Sequence, residues 1–214
     1  MPFYNDLRPA KDFEKRDFFR VFPDMSADEK QRCIEGILRI KNTVKSEIPP
    51  RKTETNLLLA SWNLKEFGHT TQRLPEAYFY IAEMLNAFDL IAIQEIKSSL
   101  KDIDIILRLL GSKWRYLVTD ITDGTDGNRE QSAYLYNTSR VELSGLAGEI
   151  SLWDDLTEDS PLGIKQLKRS PFTTGFKSGW KKFTLINLHL HPSDDDEDVA
   201  YRAEEIRLLL KAIE

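Results

Sequence analysis

The sequence predicts an α+β protein in which two β-sheets pack face to face with helices outside, preceded by a helical appendage. Three observations carry this expectation. Apolar strand-like runs alternate with helical stripes from Asn56 to Leu110. Several strands then follow in close succession between Trp114 and His189, and one long amphipathic helix closes the chain. Successive strands after an alternating start argue for sheet-on-sheet packing rather than a doubly wound parallel sheet.

Residues 1–55 are rich in charge and contain no strand-like run. Ser26-Ala27-Asp28-Glu29 reads as a capping box that opens a helix, because a serine side chain and a glutamate three positions on can satisfy each other's backbone N–H groups. Cys33, Ile34, Leu38, Ile40 and Val44 give that helix a rough apolar stripe before Pro49-Pro50 ends it. The expected division is a helical extension and linker over 1–55 and the main domain over 56–214.

A strand near Asn56–Asn63 precedes a helix around Leu74–Phe88, with Ala77, Ile81, Met84 and Leu85 on one stripe. The strand Leu90–Glu95 comes next, then a helix at Ser99–Leu110 with Ile103, Ile106, Leu109 and Leu110. Further strands are expected at Trp114–Val118, Ser132–Tyr136, Val141–Ile150, Phe172–Lys177 and Lys182–His189. The last helix, about Glu197–Ile213, is expected to bury Ile206, Leu209, Leu210 and Ile213. Asp120–Asn128 reads as a turn, since it lacks the alternate-residue ligand spacing of an EF-hand loop.

Composition narrows the function classes. The chain has 214 residues, 41% of them hydrophobic and 10% aromatic, which is ordinary globular composition. Cys33 is the only cysteine, so no disulfide forms within the chain. With no apolar secretory core near the start, the expectation is a cytoplasmic protein with no membrane association and no obligate protein partner. A net charge of −5 offers no global basic footprint for nucleic acid. Any phosphate chemistry therefore needs local cations, metal ions included.

Polar residues stand where buried strands end: Asn63 after LLLASW, Glu95 after LIAIQ, and Asn187 and His189 in INLHLHP. Such groups are costly in apolar surroundings unless paired or used. Asn63 fits either a strand-ending turn or a phosphate-binding amide. Glu95 fits either a salt bridge to Lys97 or a hard divalent cation. Glu130 and His189 suit a carboxylate–imidazole pair, in which the acid fixes the tautomer of the ring. His189 and His191, spaced i, i+2, would share a face of an extended strand, but the supply of further zinc ligands is poor. Arg169 is either a phosphate clamp or a solvated arginine of the basic stretch Lys165–Arg169. The acidic run Ser193–Asp198 reads as a solvated helix N-terminus.

Taken in order, SWNLKEFG, IAIQEI, GNREQSAYLYNTSRVEL and RSPFTTGFKSGWKKFTLINLHLHPSD resemble the endonuclease/exonuclease/phosphatase superfamily, most closely its deoxyribonuclease I-like nucleases. The resemblance runs from about Asn56 onward and implies a four-layer α/β/β/α sandwich. It implies that Asn63 and Glu95 belong to a metal site for Mg²⁺, or for Mn²⁺ or Ca²⁺. It implies that Glu130 orients His189 as a general acid/base, with Asn187 counted beside them as catalytic. Arg169, Lys65 and Lys97 are the implied phosphate contacts, the two lysines standing where such nucleases carry arginines. The implied activity is metal-dependent phosphodiester hydrolysis with DNA as substrate. The family pattern continues with Gly-Asp-x-Asn and Ser-Asp-His segments that this sequence does not contain. The chain is accordingly expected to be an incomplete copy of the domain at its C-terminus. A phosphatase or sphingomyelinase within the same superfamily, and an inactive domain that binds nucleic acid or a partner, stand as alternatives.

Overall fold

The computed structural model describes residues 2–4, 25–52, 56–68, 73–120, 130–191 and 195–214. The elements run α1 (Ala27–Glu47), β1 (Leu59–Phe67), α2 (Pro75–Leu85), β2 (Leu90–Lys97), α3 (Lys101–Leu110), β3 (Trp114–Val118), β4 (Glu130–Asn137), β5 (Glu142–Glu149), α4 (Asp154–Thr157), β6 (Phe172–Ser178), β7 (Lys181–Asn187) and α5 (Asp196–Ile213). One sheet has the order β1-β2-β4-β3 and the other β5-β6-β7. Only β1 and β2 are parallel, joined through α2; every other pair is antiparallel. Two sheets flanked by helices make this the α+β sandwich that the strand succession predicts.

The layers follow from side-chain alternation along β2 and β4. Ile91, Ile93, Ala133 and Leu135 face the helices, where they pack with Phe79, Ala82, Leu85, Ile103 and Ile106. Leu90, Tyr134 and Tyr136 face the other way and meet Phe172 and Phe176 of the second sheet. The inter-sheet core is an aromatic cluster. The Phe176 ring lies 5.2 Å from that of Tyr134 and 6.0 Å from those of Tyr136 and Phe183. Tyr134 is fully buried but donates its hydroxyl to the Phe172 carbonyl at 3.0 Å, so its polar end costs little.

The capping box at Ser26 and Glu29 forms as the sequence implies. The buried face of α1 differs from the expected stripe. Cys33, Gly36 and Ile37 are buried, whereas Ile34 and Leu38 are exposed. Packing against α2 decides this: Gly36 lets the Tyr80 ring approach the helix where a Cβ would collide, and Arg32 makes a two-pronged pair with Glu76 at 2.6 and 3.0 Å.

The closing helix also turns a different face inward. Leu208 and Leu209 are buried against Leu152, Ile164 and Leu167, while Ile206, Leu210 and Ile213 stay exposed. Its orientation is set by polar anchors that hydrophobic periodicity does not count. Glu205, 1% exposed, accepts the backbone N–H groups of Lys168 (3.2 Å) and His191 (3.0 Å). Asp195 caps the helix and Asp196–Asp198 occupy its first turn, as the acidic run implies. β7 ends at Asn187, so His189 and His191 lie beyond the strand. The turn expected at Asp120–Asn128 lies outside the described residues from residue 121 onward, as do Arg129 and His69.

Truncating the centre of the inter-sheet core should be severe. Phe176→Ala is expected to cost about 3–5 kcal/mol, read as a lowered urea midpoint with the slope preserved.

Candidate functional site

Strands β1 and β2 of the first sheet are both irregular at the positions that matter. The β1–β2 register breaks between Asn63 and Phe67, and the β2–β4 register breaks between Ile93 and Ile96. A bulge re-aims side chains, and here it delivers Glu95 to the end of the sheet. Glu95 adopts a left-handed conformation with φ 61°, and Lys65 and Glu66 do so with φ 40° and 53°. Such backbone is unfavourable for non-glycine residues and persists only where surroundings compel it.

The compelling contacts converge on one carboxylate. Asn63 Nδ2 donates to Glu95 Oε1 at 2.6 Å, and the Glu66 backbone N–H donates to Glu95 Oε2 at 3.1 Å. Asn63 Oδ1 in turn accepts the Lys65 N–H at 2.9 Å, which fixes the amide and the turn together. Burial pushes the Glu95 carboxyl upward, but the two hydrogen bonds and the neighbouring His189 and Lys97 outweigh it, and the net direction is below the usual carboxylate range.

His189 sits between two acids. Its Nε2 lies 3.6 Å from Glu95 Oε1 and its Nδ1 lies 3.5 Å from Glu130 Oε2. Both contacts are too long to count as hydrogen bonds. Glu130 is shared: Arg169 Nε donates to Oε2 at 3.0 Å and Lys97 Nζ donates to Oε1 at 3.3 Å. Desolvation and the Arg169 charge lower the His189 pKa and outweigh the two acids, so the ring is neutral at pH 7.

Asn63, Lys65, Glu66, Glu95, Glu130, Arg169 and His189 line a single open cleft of about 420 Å³. Asn187 stands apart from it. It is 2% exposed, donates to the carbonyls of Ile93 (3.0 Å) and Ala133 (3.1 Å), and accepts from Gln94 Nε2 at 2.5 Å. Asn187 thus ties β7 to the first sheet directly beneath the cleft. Lys97 is engaged by Glu130, and by Glu66 at 3.8 Å, and is not among the lining residues.

Glu66 and Gln94 are members of this assembly that residue-type reasoning passed over. Glu66 contributes through its backbone, which no side-chain signal reports. Gln94 contributes from the buried side of the strand. His191 faces α5 instead of the cleft, with Nε2 2.5 Å from Asp198 Oδ1, so the two neighbouring histidines do not make a zinc pair. No group of three His, Cys, Asp or Glu side chains is arranged to hold a metal ion among the described residues. The oxygen donors that suit a hard cation at the cleft are those of Glu95 and Asn63.

Comparison with known proteins finds similarity over part of the chain. The chain is 25% identical to deoxyribonuclease-1 of Rattus norvegicus over 146 residues, 64% of this chain and 49% of that protein. It is 26% identical to the Equus caballus protein and 24% identical to the Homo sapiens protein, each over 147 residues, 65% of this chain and 50% of theirs. Over the matched segment the chain is similar in sequence to deoxyribonuclease-1. It spans about half the length of the curated relatives it matches. No family model matches it. Among solved structures, a functionally unknown conserved protein from Enterococcus faecalis V583 aligns with a TM-score of 0.49 and 18% identity, over 72% of this chain and 59% of that one.

The electrostatics predict acid sensitivity. The folded state holds the His189 pKa below the ordinary 6.5, so on acidification the unfolded chain takes up the proton first. Stability should therefore begin to fall as pH drops below 6.5. Glu95, with a depressed pKa, adds a second loss as pH falls from 4.5 through its folded value. NMR titration of the His189 ring is expected to give a midpoint below 6.5, and a midpoint above it contradicts this account.

Proposed function

We propose that the cleft hydrolyses phosphodiester bonds, with DNA as the substrate and a divalent cation as cofactor. The observation that supports this most is the convergence of Asn63, Glu95, Glu130, Arg169 and His189, drawn from three strands and two connecting segments, on one open cleft. The relationship to deoxyribonuclease-1 points the same way.

The donor set fits Mg²⁺, or Mn²⁺ or Ca²⁺ in its place. Glu95 is a hard carboxylate with two oxygens and more acceptor sites than its two hydrogen bonds use. Glu95 with Asn63 would hold the ion, the remaining positions falling to water and substrate oxygens. When bound, the ion supplies positive charge against the phosphate oxygens, which a chain of net charge −5 otherwise lacks.

The remaining work belongs to side chains. Neutral His189 is in the right protonation state to take a proton from an attacking water. Glu130 faces Nδ1 at 3.5 Å and favours the imidazolium that this transfer creates. Arg169 braces Glu130 through Nε and brings its guanidinium to the cleft wall, where a phosphate is a natural partner. Lys65 adds a second cation at the rim.

Supercoiled plasmid incubated with the purified chain and Mg²⁺ is expected to be nicked, and chelation should stop the reaction. Glu95→Ala and His189→Ala are each expected to lower the rate by about 100-fold or more. Nicking that persists in both variants overturns the assignment. DNA binding without cleavage, unchanged by either substitution, would instead identify a binding domain that has no hydrolytic role.

A further inference from the structure

The turn that carries Lys65 and Glu66 is held from behind by a polar network outside the cleft, in which Asp102 is buried and Arg73 half-buried. Arg73 Nη2 donates to the Leu64 carbonyl at 2.5 Å and also to the Lys65 carbonyl. The Arg73 guanidinium lies 5.2 Å from the centre of the Phe67 ring. The Asp102 carboxylate on α3, fully buried, accepts the Gly68 N–H at 3.0 Å and the Tyr78 hydroxyl at 3.0 Å, and stands 3.9 Å from Arg73 Nε. Gly68 itself, at φ 147°, must be glycine, since a Cβ there would sit 2.7 Å from the Ser99 carbonyl.

A buried carboxylate and a guanidinium on two peptide carbonyls are expensive to desolvate. An apolar contact would hold a helix to a strand at lower cost. What the polar version adds is direction. Hydrogen bonds at Leu64, Lys65 and Gly68 fix peptide orientations across successive residues, two of them in left-handed backbone. One product of that orientation is the Glu66 N–H aimed at Glu95 Oε2.

We propose that Arg73 and Asp102 are positioning residues for the cleft, acting through the Lys65–Gly68 turn to aim the Glu66 N–H at Glu95 and to set Lys65 at the rim. The catalytic part of this inference rests on the hydrolytic reading above; the geometric part does not. Partners that orient primary site groups from behind commonly control activity by about 10–100-fold.

The test compares Arg73→Ala, Arg73→Lys and Asp102→Asn with Asp89→Asn. Asp89 is an equally buried carboxylate at the opposite end of β2, bonded to Arg51 and Arg140, and its loss should perturb stability alone. In Arg73→Ala and Asp102→Asn the Glu66 amide is expected to lose hydrogen-exchange protection by about tenfold or more. Asp89→Asn should leave that amide unchanged. On plasmid DNA with Mg²⁺, the same two variants should lower kcat by about tenfold or more with little change in KM. Arg73→Lys, which keeps the charge but loses the fork, should recover only part of either effect. If the Glu66 amide keeps its protection while the melting temperature falls as in Asp89→Asn, the network is merely structural and the proposal fails. If the wild-type chain proves inactive, the hydrolytic reading fails while amide exchange still decides the positioning role.

Discussion

The Glu95 carboxylate is the point on which the architecture of the cleft turns. It projects from a bulge in β2, on a residue whose own backbone sits at φ 61°. Left-handed backbone in a non-glycine residue costs on the order of 1–3 kcal/mol. Two charge-assisted hydrogen bonds, from Asn63 and Glu66, offset that cost, and such bonds exceed neutral ones in strength. Without the carboxylate there is little reason for Asn63 to turn inward or for Lys65 and Glu66 to stay strained. The acid organises its neighbours as much as they organise it.

Around that acid the charges interlock. His189 lies between Glu95 and Glu130, and Glu130 is flanked by Arg169 and Lys97. Glu130 is compensated by the two cations beside it, and Glu95 by the hydrogen bonds from Asn63 and Glu66. The arrangement sets two cations, Lys65 and Arg169, at the cleft of a chain whose net charge is −5. Beneath it, Asn187 satisfies two carbonyls of the first sheet from the end of the second. The site is thus anchored to both halves of the sandwich.

Much of this was legible in the sequence, and unevenly so. Strand order, helix order and the two-sheet arrangement follow from apolar periodicity, because layered packing demands it. Asn63, Glu95, Glu130, Arg169 and His189 were visible as polar residues in or beside strand-like segments, and they do converge. The buried faces of α1 and α5 depart from hydropathy for a physical reason. Hydropathy counts Ile34, Leu38 and Leu210 as core-seeking, but the helices are turned by Gly36 against Tyr80 and by Glu205 bound to two backbone amides. Asn187 reads as a reactive group on a strand end, yet its amide is consumed in joining the sheets. Backbone donors such as the Glu66 N–H leave no trace in residue identity at all.

The bulges have a consequence for how this chain can vary. Ile93 and Ile96 both reach the helix-side core although they stand three positions apart, as do Leu64 and Phe67 on β1, where regular alternation would place them on opposite faces. Each bulge is therefore a phase shift in the inside–outside rhythm of its strand. Substituting Gln94 or Glu95 changes a side chain and leaves the rhythm intact. Deleting either residue would put Ile93 and Ile96 in regular alternation on the helix-side face and remove the bulge that presents Glu95 at the cleft. Segments SWNLKEFG and IAIQEI are thus far more tolerant of exchange than of a change in length. Chain length between Ile93 and Ile96 is as much a part of the site as the carboxylate it presents.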